Sequence, residues 1–189
     1  MSNQSRSNTT LAATPRTSQI WNRQTFETNH WHRLADNEPV TAGGFALVSL
    51  DRWRAERSTL LDGTAAAIGV EFTPNDEVDP ESDEIHRLAL IVLPFPKFTD
   101  GRSYSTARRL REQWGYANEL RASGDVLLDQ IQLMTRCGFT SFEICDQSTI
   151  RILERSGSTR MPRMYQSPAR HGDLWRRTGT TPRALVAAE

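Results

Sequence analysis

Residues 88–145 read LALIVLPFPKFTDGRSYSTARRLREQWGYANELRASGDVLLDQIQLMTRCGFTSFEIC, and this stretch decides the fold. Its first segment, Leu88–Phe95, is a near-continuous apolar run of strand length, closed by Pro94 and Pro96. A run that is apolar at nearly every position marks a strand buried on both faces, as in parallel sheets. The turn Lys97-Phe98-Thr99-Asp100-Gly101 follows. From Arg102 onward Tyr104, Ala107, Leu110 and Trp114 recur at spacings of three, three and four, the apolar stripe of a helix that Gly115 ends. Glu119–Ala122 reads as a short strand. Ser123-Gly124-Asp125 then turns the chain into a second helix, with Asp125 as its N-cap and Leu127, Ile131 and Met134 on its inner face. Gly138 stops that helix, and Thr140–Cys145 is the next strand. Strand, helix, strand, helix, strand at this short pitch requires right-handed crossovers and parallel pairing.

Outward from this core the signals weaken. Upstream, Gly43-Gly44 opens an apolar strand at Phe45–Leu50, and Asp51 is placed to cap a helix carrying Trp53, Leu60 and Leu61, which Gly63 ends. Ala67–Phe72 is a further strand, and Thr73–Glu84 is an acidic, proline-bearing surface loop with room for one helical turn before His86. Downstream, Ile150–Leu153 extends a helix. The expected architecture is a mostly parallel α/β sheet of about five strands with βαβ crossovers, open or curled into a partial barrel. The expected organisation is a disordered leader over 1–30, an α/β domain over 31–155, and a tail over 156–189 rich in Arg, Ser, Thr and Pro.

Composition excludes more than it assigns. A chain of 189 residues suits one domain with tails, and such a domain needs no disulfide or metal staple. The formal net charge of +0 argues against nucleic acid as a principal partner, because phosphate neutralisation calls for a basic excess. The tail arginines Arg160, Arg163, Arg170, Arg176, Arg177 and Arg183 read as a flexible tail before an arm for nucleic acid or an acidic partner. Cys137 and Cys145 form no C-x-x-C pair and read as buried free thiols, which suits a reducing cytoplasm. His30 and His32 flank Trp31 in an H-x-H pattern with no acidic or cysteine partner nearby; solvent-facing histidines beside a packed tryptophan are preferred to a metal site. No apolar run reaches the roughly 18 residues of a membrane span. The start of the chain lacks the apolar core of a secretory signal. Its Ser, Thr and Arg content and lack of acid before Glu27 fit a disordered bacterial leader better than an organelle transit peptide.

The stretch from Phe95 to Phe139 resembles a bacterial family of domains of unknown function, family 934. Members resemble the pattern F-P-K-F-x-D-G-R-x-[YF]-S-x-A-R-x-L-R, then E-L-R-A-x-G-D-V-L-x-D-Q and R-C-G-F, and this chain matches nearly every position. VSLDRW at Val48–Trp53 extends the likeness upstream, so that it covers roughly residues 31–145. The genes of this family commonly neighbour those of assimilatory sulfite reductase, and members are sometimes labelled oxidoreductases of sulfite reduction. The resemblance therefore implies a role in sulfur assimilation, with sulfite reductase or its electron donor as partner. The residues give the oxidoreductase label little support. There is no G-x-G-x-x-G after a strand, no flavin or haem signature and no cysteine cluster for iron–sulfur, so neither cofactor nor metal is expected.

Chemistry, if present, belongs beyond the carboxyl ends of the parallel strands. Two turns there are dense in polar groups. The first carries Lys97, Thr99, Asp100, Gly101, Arg102 and Ser105; the second carries Arg121, Ser123, Gly124, Asp125 and Asp129. Lys97 is the one lysine among 23 basic residues. A helix start near Arg102, a close backbone approach at Gly101, a point charge at Lys97 and a forked donor at Arg121 would together suit a small oxyanion such as sulfite, sulfate or phosphate. Opposed to this stands a purely structural reading. In it, Asp100 and Asp125 cap helices, the arginines form a solvated face, and Asp129 pairs with Arg121. In a third reading Lys97, Asp100 and Asp125 are catalytic groups acting on a small sulfur or phosphate compound.

Overall fold

The computed structural model describes residues 18–156, apart from residues 64, 80, 82 and 98. Of the leader expected over 1–30, residues 1–17 lie outside these, as do Phe98 and the tail beyond 156; residues 19–27 carry the first two strands described next. Three short strands precede the first one read from the sequence: β1 (Gln19–Trp21), β2 (Phe26–Glu27) and β3 (Trp31–Arg33). Then come β4 (Phe45–Ser49), α1 (Leu50–Asp62), β5 (Ala67–Glu71), a single 3-10 turn at Ile85–Arg87, β6 (Leu90–Phe95), α2 (Arg102–Glu112), β7 (Glu119–Gly124), α3 (Ile131–Cys137), β8 (Ser141–Ile144) and α4 (Gln147–Ser156).

The sheet is mixed rather than mostly parallel, and it has eight strands rather than about five, in the order β2-β1-β8-β7-β6-β5-β4-β3. The strands from β3 to β8 pair in parallel with their sequence neighbours, while β1 runs antiparallel to both β8 and β2. The additional strands escaped the sequence reading because each is only two or three residues long, too short to show a period.

The choice between open sheet and partial barrel is settled by a covalent constraint. In a flat sheet β2 and β3, at opposite ends, would lie about 34 Å apart, given about 4.8 Å per strand. Only Thr28, Asn29 and His30 separate them in the chain, and such a link spans at most about 14 Å. The sheet must therefore curl, and it forms a half-barrel. Because β2 and β3 run in the same direction, residues 26–33 make one run that pairs first with β1 and then with β4, spanning the open side of the curl.

All four helices follow their strands onto the convex face. There Val70, Ile91, Phe95, Leu120 and Phe142 pack against Trp53, Leu110, Met134 and Leu153. The concave face carries a smaller apolar patch of Leu47, Leu90 and Val92, roofed by Trp31. β6 is thus apolar on both faces, as its run of side chains requires. Burying each such Leu or Val contributes roughly 1.5–3 kcal/mol. The acidic loop after β5 is tied down at Asp83, whose carboxylate pairs with Arg54 of α1 at 2.7 Å and whose carbonyl accepts the Trp53 indole N–H at 2.7 Å.

Two capping expectations are corrected. Ser49, not Asp51, caps α1, its hydroxyl accepting the Arg52 N–H at 3.2 Å. Asp125 does not cap a helix. The Val126 N–H turns back to Gly124 O at 3.0 Å and the Gln130 N–H to Leu127 O at 3.1 Å, so residues 125–130 form tight turns and α3 begins only at Ile131.

Gly69 lies beneath the roof of the concave patch. A Cβ there would stand 2.9 Å from the Trp31 ring and 3.1 Å from Leu90 Cβ. Gly69→Ala is therefore expected to destabilise the fold by about 1–3 kcal/mol through overpacking. Urea unfolding of the variant checks this, and a free energy equal to that of the parent would mean that Trp31 does not sit on the concave face.

Candidate functional site

The parallel register pairs Phe95 with Gly124, which sets the turn after β6 beside the turn after β7. The two are joined directly, since the Asp125 N–H donates to Phe95 O at 2.8 Å. Gly124 is needed here: its φ is +89°, and a Cβ would meet Phe95 O at 2.5 Å. Lys97, Gly101, Arg102, Ser105, Gly124, Asp125 and Asp129 are all exposed along this rim, with Asp100 half-buried among them.

Asp100 and Arg102 of the first turn satisfy one another. Asp100 accepts the Arg102 backbone N–H at 3.2 Å and clasps its guanidinium at 2.9 and 2.6 Å, and Arg102 also reaches the Asn75 amide oxygen. The Arg102 side chain and backbone bonds hold the Asp100 carboxyl down to about 2. The start of α2, where an oxyanion was expected, is thus answered by the chain's own carboxylate. Ser103 closes the turn from below, donating to Pro94 O at 2.6 Å.

Arg121 is absent from this rim. It lies mid-strand in β7, its side chain 5% exposed, turned onto the concave face. There it pairs with Glu119 at 2.7 Å and donates to Ser141 Oγ at 3.3 Å and Asn29 Oδ1 at 3.1 Å. Its partner is Glu119 rather than Asp129.

The concave face holds a second polar constellation that the sequence reading passed over. Arg33, at the end of β3, extends its guanidinium between two carboxylates. It contacts Glu71 at 3.0 and 3.4 Å and Glu143 at 3.1 and 2.6 Å, although Glu143 lies 110 positions away in the chain. Ser18 adds a hydroxyl bond to Glu143 at 2.8 Å. Two forked pairs on one guanidinium exploit the planar donor geometry that lysine lacks.

Burial alone would raise the Glu143 carboxyl, but the Arg33 bond and charge more than offset it, so the group sits below its ordinary value. Glu143 is therefore ionised at neutral pH, and the cluster is a fixed ion network rather than an acid–base pair poised to exchange protons. Cys137 is buried, which pushes its thiol up and away from thiolate chemistry. Among the described residues no group of three or more His, Cys, Asp or Glu side chains is placed to hold a metal, and no helix is long and apolar enough to cross a membrane.

A detectable signal for this network was present. Glu119, Arg121 and Ser123 alternate with Leu120 and Ala122, and Ser141, Glu143 and Cys145 alternate with Phe142 and Ile144. Such period-two patterns mark strands with one polar face, unlike the all-apolar β6.

Because the folded Glu143 carboxyl is depressed, its stabilisation is present above the unfolded-state value and lost as pH falls through the folded one. Urea titrations between pH 7 and about pH 2 are expected to show stability falling with acid from about pH 4 downward. Glu143→Gln should lower stability at neutral pH by roughly 1–3 kcal/mol, reduced from the fully buried case because Arg33 is 41% exposed, and should flatten part of the acid slope. An unchanged slope in the variant would contradict the pairing.

Comparison with known proteins places the chain without assigning it an activity. No curated protein matches it significantly, and neither does any solved structure. The family described as bacterial protein of unknown function, DUF934, matches residues 69–174, from β5 to beyond α4. The match leaves VSLDRW and the strands β1 to β4 outside it, a narrower reach upstream than the sequence likeness implied. It covers over half of the chain, which therefore belongs to the DUF934 family.

Proposed function

We propose that this protein is a non-catalytic accessory factor of assimilatory sulfite reduction that docks its strand-end rim onto the reductase or its electron donor. The observation that carries the reading is the rim itself. Lys97, Arg102, Asp125 and Asp129 are exposed on two turns that adjacent parallel strands hold side by side. An exposed surface of mixed charge on a fixed scaffold suits a polar protein interface, where charge sets orientation and encounter rate. The association of the family's genes with sulfite reductase supplies the partner. Free-oxyanion capture is a weaker reading of the same residues, because Asp100 already neutralises Arg102 at the start of α2 and Arg121 is spent on Glu119.

The test is direct binding between the full chain and purified sulfite reductase, or its electron-donor protein, from the same bacterium. The expected result is a Kd in the micromolar range that weakens with salt. Reversing two rim charges, Lys97→Glu with Arg102→Glu, should weaken binding about tenfold or more with the fold intact. Absence of binding to either protein at about 100 μM, or binding indifferent to the reversal, would contradict the proposal. A clear rise in melting temperature with millimolar sulfite or sulfate alone would favour the oxyanion reading instead.

A further inference from the structure

Residues 28–33 cross the open side of the half-barrel, and their attachment differs from that of the rest of the sheet. β3 is an edge strand held to β4 by a three-residue ladder. Upstream, β1 is anchored by the buried Ile20 and Trp21, so the segment is fixed at that end. Between these points the ties to the concave face are the Trp31 ring over Gly69 and Leu90, the Asn29 amide on Arg121, and the Arg33 guanidinium on Glu71 and Glu143. Short edge strands held by partly exposed polar contacts belong to the least stable part of a fold and open without global unfolding.

With Arg33 withdrawn, the described residues of the face beneath present Glu71, Glu119 and Glu143 with Arg121 as their cation. That surplus selects a cation. Glu71 and Glu143 turn all four of their carboxylate oxygens to one planar group, an arrangement that selects guanidinium over ammonium.

We propose that residues 28–33 form a releasable strap latched by Arg33, and that the clamp of Glu71 and Glu143 beneath it is a guanidinium site that a guanidino ligand can take over. This inference does not rest on the docking reading, which concerns the outer rim.

The experiment is hydrogen exchange on the full chain, comparing the parent with Arg33→Ala. Exchange across residues 28–33 should already be faster than that of β6 and β7 in the parent, and should accelerate about tenfold or more in the variant. Millimolar methylguanidinium should restore protection in Arg33→Ala and fail to do so in Arg33→Ala with Glu143→Gln. A blocked arginine peptide in a parallel arm distinguishes a protein side chain from a small guanidino compound as the occupant. Should Arg33→Ala not fold, Arg33→Lys serves in its place, since an ammonium cannot fork to both carboxylates. The proposal is overturned if the strap exchanges at the parent's rate without the Arg33 guanidinium, if it is as protected as β6 and β7 in the parent, or if methylguanidinium leaves the single variant unchanged.

Discussion

The fold depends on three residues of backbone. Thr28, Asn29 and His30 join strands at opposite ends of an eight-stranded sheet, and no flat arrangement can satisfy so short a link. Curling brings β3 across to β8, and the price of that closure is a set of charged groups on the concave face that water no longer fully solvates. Arg33 resolves the problem by serving two carboxylates at once, and Arg121 does the same on a smaller scale with Glu119 and Ser141. Breaking such a pair by removing one partner is costly, because the group left behind stays partly buried without its counter-charge.

This closure explains how the two faces of the sheet divide their roles. The convex face carries the hydrophobic core under four helices and supplies most of the stability. The concave face is apolar only around Trp31, Leu47, Leu90 and Val92; elsewhere it is an ion network. A titrating group near neutral pH is not supplied by Glu143 there, since Arg33 holds it in its charged form.

The central βαβαβ unit was legible because its signals are strong and local. Leu88–Phe95 could hardly be other than a buried strand, and the stripe from Tyr104 to Leu110 gave α2. The adjacency of the turns after Phe95 and Ala122 followed from parallel pairing alone. What could not be read was closure. β1, β2 and β3 are too short to announce themselves, so the strand count fell short and the antiparallel edge went unseen. Arg121 was assigned to the rim from its place in the sequence, yet its position in β7 points it to the concave face, as its alternation with Leu120 and Ala122 already implied. The alternation around Glu143 marked a polar strand face, but not its partner: the clamp's members lie far apart in the chain, and only the curl brings them together.

The curl is latched on its concave face by Arg33 and Glu143, remote in sequence, holding each other across it. A double-mutant cycle with Arg33→Ala and Glu143→Gln, read by urea unfolding at neutral pH, measures that coupling. A curled sheet latched in this way predicts an interaction energy of roughly 1–3 kcal/mol between the two positions. Effects that simply add, with no interaction beyond about 0.5 kcal/mol, would mean that the two side chains do not latch the curl.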